Sequence, residues 1–295
     1  MRIVSLLASA TEMVCALDCG HLLVGRSHEC DNPAWVRSLP SCSEPAFDVS
    51  VSSGAINDEV SRRIRAGEPL YRIDNECIRQ LRPDFILAQE HCEVCAVTPG
   101  DVGCVPGACV IALNPDSLAG VFDSILQVAE ALGISETGRA LVAREKSRLD
   151  RLRRPEHRPT VVVLEWADPF FSIGNWGPSL VEIAGGELLL GNPDRHSFAM
   201  APECLKEADP EFLIVAPCGF DLDRACQDLA VLERHPWWNE LRAVRAGKVA
   251  FADGNLYFNR SGMTIVDTAE IIAEILHGGE PDGVRWQWMR DVRPQ

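Results

Sequence analysis

Short apolar runs alternate with stretches of helical period along this chain. Runs at 2–7 and 22–26 flank a helical pattern that begins near Ser9, where Ser9 and Glu12 stand at capping-box spacing. That is a βαβ opening. Residues 31–75 are rich in Pro, Ser and Gly and hold one helical stretch, 57–66; a second begins at 75–81 and leads into a strand at 85–88. The first unit therefore reads as a small parallel sheet ending near Leu113, with a long loop over 90–108. From 117 to 152, Leu118, Val121, Ile125, Val128, Ala129 and Leu132 repeat at helical spacing, and Leu141, Leu149 and Leu152 resume it after Gly133. This pattern fits a rigid connector and equally a crossover helix followed by a second helix. Pro155 and Pro159 end it, and the apolar run 160–164 predicts a buried parallel strand that opens a second α/β unit. Helices at 179–184, 201–208 and 222–232, strands at 212–216 and 249–251, and an amphipathic helix at 264–276 complete that unit. The expected division is an N-terminal α/β lobe over 1–116, a linker helix region over 117–157 and a C-terminal α/β lobe over 158–295.

Four of the strand-like stretches break off into loops bearing cysteine or acid: VGRSHECD at 24–31, ILAQEHCEVCAV at 86–97, VVVLEWADP at 161–169 and LIVAPCGFD at 213–221. Parallel α/β sheets place ligands at the C-terminal ends of their strands, so the functional residues are expected there. Composition adds exclusions. A formal net charge of -15 argues against a nucleic-acid backbone as partner. No apolar run approaches the length of a membrane span. The opening MRIVSLLASATEMV starts a strand at once, without a basic-then-apolar leader, and this predicts a cytoplasmic product. In a reducing compartment, twelve cysteines favour thiols, metal ligands or catalysis over bridges.

The segments SLLASATEMVCAL, LVGRSHECDNP, CEVCAV, EWADP with GNWGPSLVEIAGG, and DGNLYFNR resemble cytoplasmic-type relatives of the vitamin B12 and iron-siderophore substrate-binding proteins of ABC transporters. The resemblance spans nearly the whole chain. It implies an α/β, two-lobed periplasmic-binding-protein-like fold of the helix-linked, class III type, with cobalamin or another corrinoid as ligand in the cleft between the lobes. Exported members of that family present acidic residues to a membrane permease; without a leader, this chain has no visible reason to meet one.

Candidate site residues follow from the strand ends. Arg26, His28, Glu29 and Cys30 succeed the strand at 22–26; His28 is a metal or proton-transfer candidate, Glu29 a ligand contact and Arg26 a cation for an anionic ligand. Cys92 and Cys95 form a CxxC turn, and thiolates suit zinc and iron–sulfur clusters. Cys218, between Pro217 and Gly219, could join Cys30, Cys92 and Cys95 in a four-sulfur site, or could simply fill a tight turn. Glu165 stands where a carboxylate accepts a ligand hydrogen bond, serves as acid or base if burial raises its pKa, or caps a helix. Trp166 and Trp176 offer flat apolar faces for an organic ring. In DGNLYFNR, Tyr257, Asn259 and Arg260 provide an aromatic hydroxyl, an amide and a guanidinium for a carboxylate or phosphate. His196 near Ser197 is a candidate cleft pair, although with Phe198 and Met200 beside it packing or a gating loop is the preferred reading. Two functions stand at this point: cytoplasmic binding of a corrinoid or related metal chelate, and a metal- or iron–sulfur-dependent enzyme using the cysteine site.

Overall fold

The computed structural model describes residues 1–89, 100, 105–152 and 157–292, and divides into two compact units. Unit 1 comprises 1–115, 119–144 and 261–263; unit 2 comprises 116–118, 145–260 and 264–295.

Unit 1 is built on β1 (Ile3–Ser5), α1 (Ala8–Ala16) and β2 (Leu23–Arg26), the expected βαβ opening. Helix α1 starts at Ala8 with Leu7 as its uncapped N-cap, so Ser9 and Glu12 lie buried inside the helix instead of forming a capping box. The segment beyond β2 holds more structure than its composition predicts. An antiparallel pair, β3 (Ser43–Pro45) and β4 (Tyr71–Ile73), encloses α2 (Ser53–Ala66). Helix α2 begins four residues before the expected start because the Ser52 hydroxyl accepts the Ala55 N–H at 3.4 Å and serves as its N-cap. Three-residue strands such as Ser-Glu-Pro carry no apolar alternation, which is why periodicity does not reveal them. Helix α3 (Asn75–Leu81), β5 (Phe85–Gln89) and β6 (Cys109–Leu113) follow. The four-stranded sheet has the order β2-β1-β5-β6 and is parallel throughout. Its core includes Val4, Leu6, Cys42, Ile78 and Ile86.

The segment from 117 to 152 is two helices, α4 (Leu118–Ala131) and α5 (Ser135–Asp150), with the break at Gly133, which adopts φ +74°. Helix α5 links the units: its residues through Arg144 belong to the first, and those from Glu145 to the second. Within unit 2, Arg148 on α5 donates to Glu145, Asp267 and Glu270.

Unit 2 carries β7 (Thr160–Ala167), β8 (Phe170–Asn175), α6 (Gly177–Ile183), β9 (Glu187–Pro193), β10 (Ala199–Met200), α7 (Pro202–Ala208) and β11 (Phe212–Val215). Then come α8 (Leu222–Gln227), α9 (Leu229–Leu232), α10 (Arg242–Arg245), β12 (Val249–Ala252), α11 (Ile265–Leu276) and β13 (Trp286–Trp288). The seven-stranded sheet runs β10-β8-β9-β7-β11-β12-β13. Strands β9, β7, β11 and β12 are parallel, and the short margins β10 and β13 are antiparallel. Every residue of β11 and β12 is buried, as expected for a parallel sheet covered on both faces. Strands β8 and β9 escape a reading by pattern because Gly174 and Gly191 look like turn signals. Gly174 is there for close approach: a Cβ would stand 2.3 Å from the Ser197 nitrogen. The fold is two α/β units, each built on its own sheet, with α5 running from the first into the second.

Candidate functional site

The C-terminal rim of the unit 1 sheet is formed by the turn after β2. Arg26 donates through its guanidinium to the carbonyls of Ser27 (2.8 Å), His28 (3.4 Å) and Arg37 (3.3 Å), bracing the turn it begins. The His28 Nδ1 lies 2.8 Å from the Ser43 hydroxyl, which also accepts the His28 backbone N–H at 3.2 Å. The ring centroid lies 5.4 Å from that of Tyr71, and Nε2 is 3.9 Å from a Glu29 carboxylate oxygen. Burial, then the neighbouring Arg26 charge, lowers the His28 pKa to about 4. The ring is therefore neutral at pH 7, the form that accepts a hydrogen bond or coordinates a metal centre. Ser43 and Tyr71, which position this ring, lie on β3 and β4 and carry no signal in the sequence.

Cys30 is turned inward. It is 1% exposed; Thr11 donates to its sulfur at 3.0 Å, Ser27 Oγ lies 3.2 Å away, and the Ser5 carbonyl accepts from the thiol at 3.6 Å. Burial pushes its pKa up, which holds it as a thiol. Cys92 and Cys95 fall outside the described residues. Cys218 is half-buried on the turn after β11. Among the described residues, no group of three or more His, Cys, Asp or Glu side chains could hold a metal ion. Among the described residues this corrects the iron–sulfur expectation: the Cys30 sulfur is already engaged by Thr11, Ser27 and the Ser5 carbonyl.

The rim of unit 2 combines three loops. Glu165, near the end of β7, is partly exposed as a residue, but its carboxyl is enclosed, accepting the Gly174 N–H at 3.2 Å and bonding to the Ser197 side chain. Burial raises its pKa to about 7, against those two bonds. Ser197, which the sequence offers with His196 as a cleft pair or, more readily, as packing or a gate, is a partner of this carboxyl. Trp166 tilts against Phe220 with ring centroids 5.1 Å apart, and the Arg224 guanidinium lies 4.0 Å from the Phe220 ring centroid. Trp166 also donates its indole N–H to the Asp168 carbonyl at 3.0 Å. Phe220 and Arg224 belong to this stack, although the sequence marks them only as the tail of a strand-end loop and the start of a helix. Trp176 is 7% exposed and precedes α6 as packing.

The third loop, after β12, is locked by polar bonds. Gly254 admits no side chain: a Cβ would stand 2.1 Å from the Pro217 carbonyl oxygen. The Asn255 N–H donates to Phe220 O at 2.9 Å, and the Asn259 amide donates to Ala216 O and Gly254 O, both at 3.0 Å. Arg260, 6% exposed, donates to the Asn255 carbonyl at 2.6 Å and to its side-chain oxygen at 3.2 Å. Tyr257 is half-buried on the single π-helical turn 254–258, and burial raises its pKa.

The sequence pattern of the family described as periplasmic binding protein matches residues 3–256. The chain belongs to this family. Three solved structures illustrate the likeness. The periplasmic heme-binding protein RhuT from Roseiflexus sp. RS-1 in apo form is 20% identical with a TM-score of 0.69, the alignment covering 94% of this chain and 98% of that one. A periplasmic heme binding protein from Pseudomonas aeruginosa is 19% identical with a TM-score of 0.70 over 92% and 91% of the two chains. The periplasmic vitamin B12 binding protein BtuF of Vibrio cholerae is 17% identical with a TM-score of 0.60 over 94% and 96%. At these identities the likeness establishes the fold. No curated protein matches the chain in sequence.

Membership of the periplasmic binding protein family overturns the expected cytoplasmic placement, and with it the cytoplasmic form of the function. The family and the solved relatives with this fold are periplasmic. The expectation rested on the opening residues and on a resemblance to cytoplasmic-type relatives; the family match is to periplasmic binding proteins and carries no such restriction. Among the described residues, no helix is long and apolar enough to cross a membrane.

Proposed function

We propose that this chain is an extracytoplasmic substrate-binding protein for a flat metal-chelate macrocycle of the haem or corrinoid class. The observation that carries the reading is the half-buried Trp166 ring seated against the buried Phe220 ring, with the Arg224 guanidinium on Phe220, at the C-terminal ends of β7 and β11: an aromatic shelf beside a cation. A planar ring gains dispersion and apolar contact on such a shelf, and a nearby guanidinium suits the carboxylate or phosphate groups carried by these chelates. The heme-binding and vitamin B12-binding relatives of this fold support the same ligand class. On unit 1, considered by itself, Arg26 and Glu29 are proposed as polar ligand contacts and neutral His28 as a hydrogen-bond acceptor. On unit 2, Trp166 supplies the ring face and Glu165 a hydrogen bond; Tyr257 faces the ligand, and Asn259 and Arg260 hold its loop in place.

Titration of the purified protein with haemin and, separately, with cobalamin tests this reading through the visible absorption band of the chelate. A saturable, stoichiometric band shift with one of them is expected, weakened in Trp166→Ala. Absence of saturable binding to both chelates would overturn the proposal.

A further inference from the structure

We propose that Cys42 and Cys77 form a disulfide that closes the base of the β3–α2–β4 excursion of unit 1. The two sulfurs lie 3.9 Å apart although the residues are separated by 35 positions. Neither residue is loosely held. The Cys42 N–H donates to Arg26 O at 2.7 Å and its carbonyl accepts the Asp74 N–H at 2.9 Å, while the Cys77 N–H donates to the Asp74 side chain, the N-cap of α3, at 2.8 Å. Both backbones are thus fixed to one short motif around Asp74. Closing the bridge requires the sulfurs to move from 3.9 Å to the roughly 2.05 Å of a disulfide, a displacement of the size that rotation about the Cα–Cβ bonds covers. Space for the sulfur is built in: a Cβ on Gly25 would stand 3.0 Å from Cys42 Sγ and 2.6 Å from a Leu81 methyl.

The excursion gains from a covalent tie. Of the residues of α2, only Ser53 is buried, and β3 pairs with β4 alone. The apolar anchor of the segment is at its base, where Cys42 joins Val4, Leu6, Ile78 and Ile86, with Cys77 packed against them. Ser43 and Tyr71, which hold the His28 ring, stand on these same two strands. A link at 42–77 therefore fixes the mount of a candidate ligand group.

The oxidising setting rests on the extracytoplasmic reading above. The co-reactant is a disulfide oxidant, for which oxidised glutathione serves in vitro. Burial pushes the Cys42 thiol up to about 12, so the more exposed Cys77 opens the exchange. The Cys77 thiol loses its proton to solvent, and its sulfur attacks one sulfur of glutathione disulfide, releasing one glutathione thiolate. The Cys42 thiol then loses its proton, and its sulfur attacks the Cys77 sulfur of the mixed disulfide, releasing the second. Two protein thiols are oxidised to one disulfide, and the oxidant is reduced to two thiols that take up the two protons.

The full chain, reduced and then treated with oxidised glutathione, is alkylated under denaturing conditions and digested with trypsin. Peptides 38–62 and 73–79, each with a single cysteine, should appear joined and lighter by two hydrogen atoms. The same oxidation should raise the thermal midpoint of the wild type by about 5 °C, with no such rise in Cys77→Ser. Because the joined peptide is read on the wild type, a poorly folding Cys42 variant does not affect the test. Full alkylation of both peptides after treatment, or linkage of Cys42 or Cys77 to other cysteines in their place, overturns the assignment. Haemin and cobalamin titrations of the same oxidised sample separate the two readings. A joined peptide without binding retains the disulfide and rejects the ligand; binding with both thiols free does the reverse.

Discussion

The two sheet rims place reactive side chains at equivalent topological positions and hold them by different means. On unit 1, His28 rests on the side chains of a two-stranded excursion, through Ser43 and Tyr71. On unit 2, the loops after β7, β11 and β12 are bonded to one another through main-chain carbonyls and half-buried amides. The first rim depends on a peripheral element with little apolar anchorage, the second on the main sheet itself. Breaking the bonds between the loops of the second should therefore appear as lost stability, whereas the first has no comparable network to break.

The most severe test is Gly254→Val. Two main-chain carbonyl oxygens, those of Pro217 and Ala216, stand within 2.6 Å of the added Cβ and cannot swing aside as a side-chain tip can. A loss of about 3 kcal/mol in urea unfolding is expected. A loss under about 1 kcal/mol would show that the unit 2 rim is not locked as described.

Titration sharpens the contrast because the two rims respond to pH with opposite sign. The folded-state pKa of Glu165 is raised from 4.5 to about 7, so the unfolded chain loses this proton first and stability falls as pH climbs between those values. Above pH 7, Glu165→Gln should be more stable than wild type by about 2 kcal/mol, discounted for partial exposure, and nearly equal to it at pH 4.5. Thermal melts across that range check it. A Gln variant that parallels the wild type at every pH would place the charge elsewhere.

Removing the aromatic shelf should act on binding. For Trp166→Ala we expect roughly tenfold weaker affinity for the chelate that binds wild type, equivalent to about 1.4 kcal/mol, with a modest change in thermal midpoint. Equal affinity in wild type and variant would remove the shelf from the site.

The smallest effect belongs to His28. Its folded-state pKa is depressed from 6.5 to about 4, so the unfolded chain takes up a proton first on acidification and stability is lost as pH falls through that window. His28→Gln should remove a slope worth about 1 kcal/mol, in the direction opposite to the Glu165 variant. Matching slopes for the two variants would break the comparison between the rims.

The order of helices and strands, and the collection of chemistry at strand ends, are legible in the sequence because buried parallel strands are apolar runs and the loops that leave them are abruptly polar. Glu165 and Trp166 could be placed at a rim on that basis alone. The pairing of Trp166 with Phe220 could not, since two loops 54 residues apart in sequence meet only when β7 and β11 lie side by side. The β3–β4 pair was hidden by strands too short for alternation, and the inward turn of Cys30 by the fact that spacing gives a cysteine no direction. Arg260 shows the same limit: its spacing gives no sign that the guanidinium donates to Asn255 five residues earlier.

The margins of the seven-stranded sheet have a colloidal consequence. Each ends in an antiparallel strand of only two or three residues, Ala199–Met200 on one side and Trp286–Trp288 on the other. An edge that short exposes few unpaired amides and carbonyls, so it gives a neighbouring chain little on which to nucleate an intermolecular ladder. Together with a net charge of -15, which makes copies repel, the stubby margins favour a monodisperse solute at concentrations where a long bare edge would seed fibres.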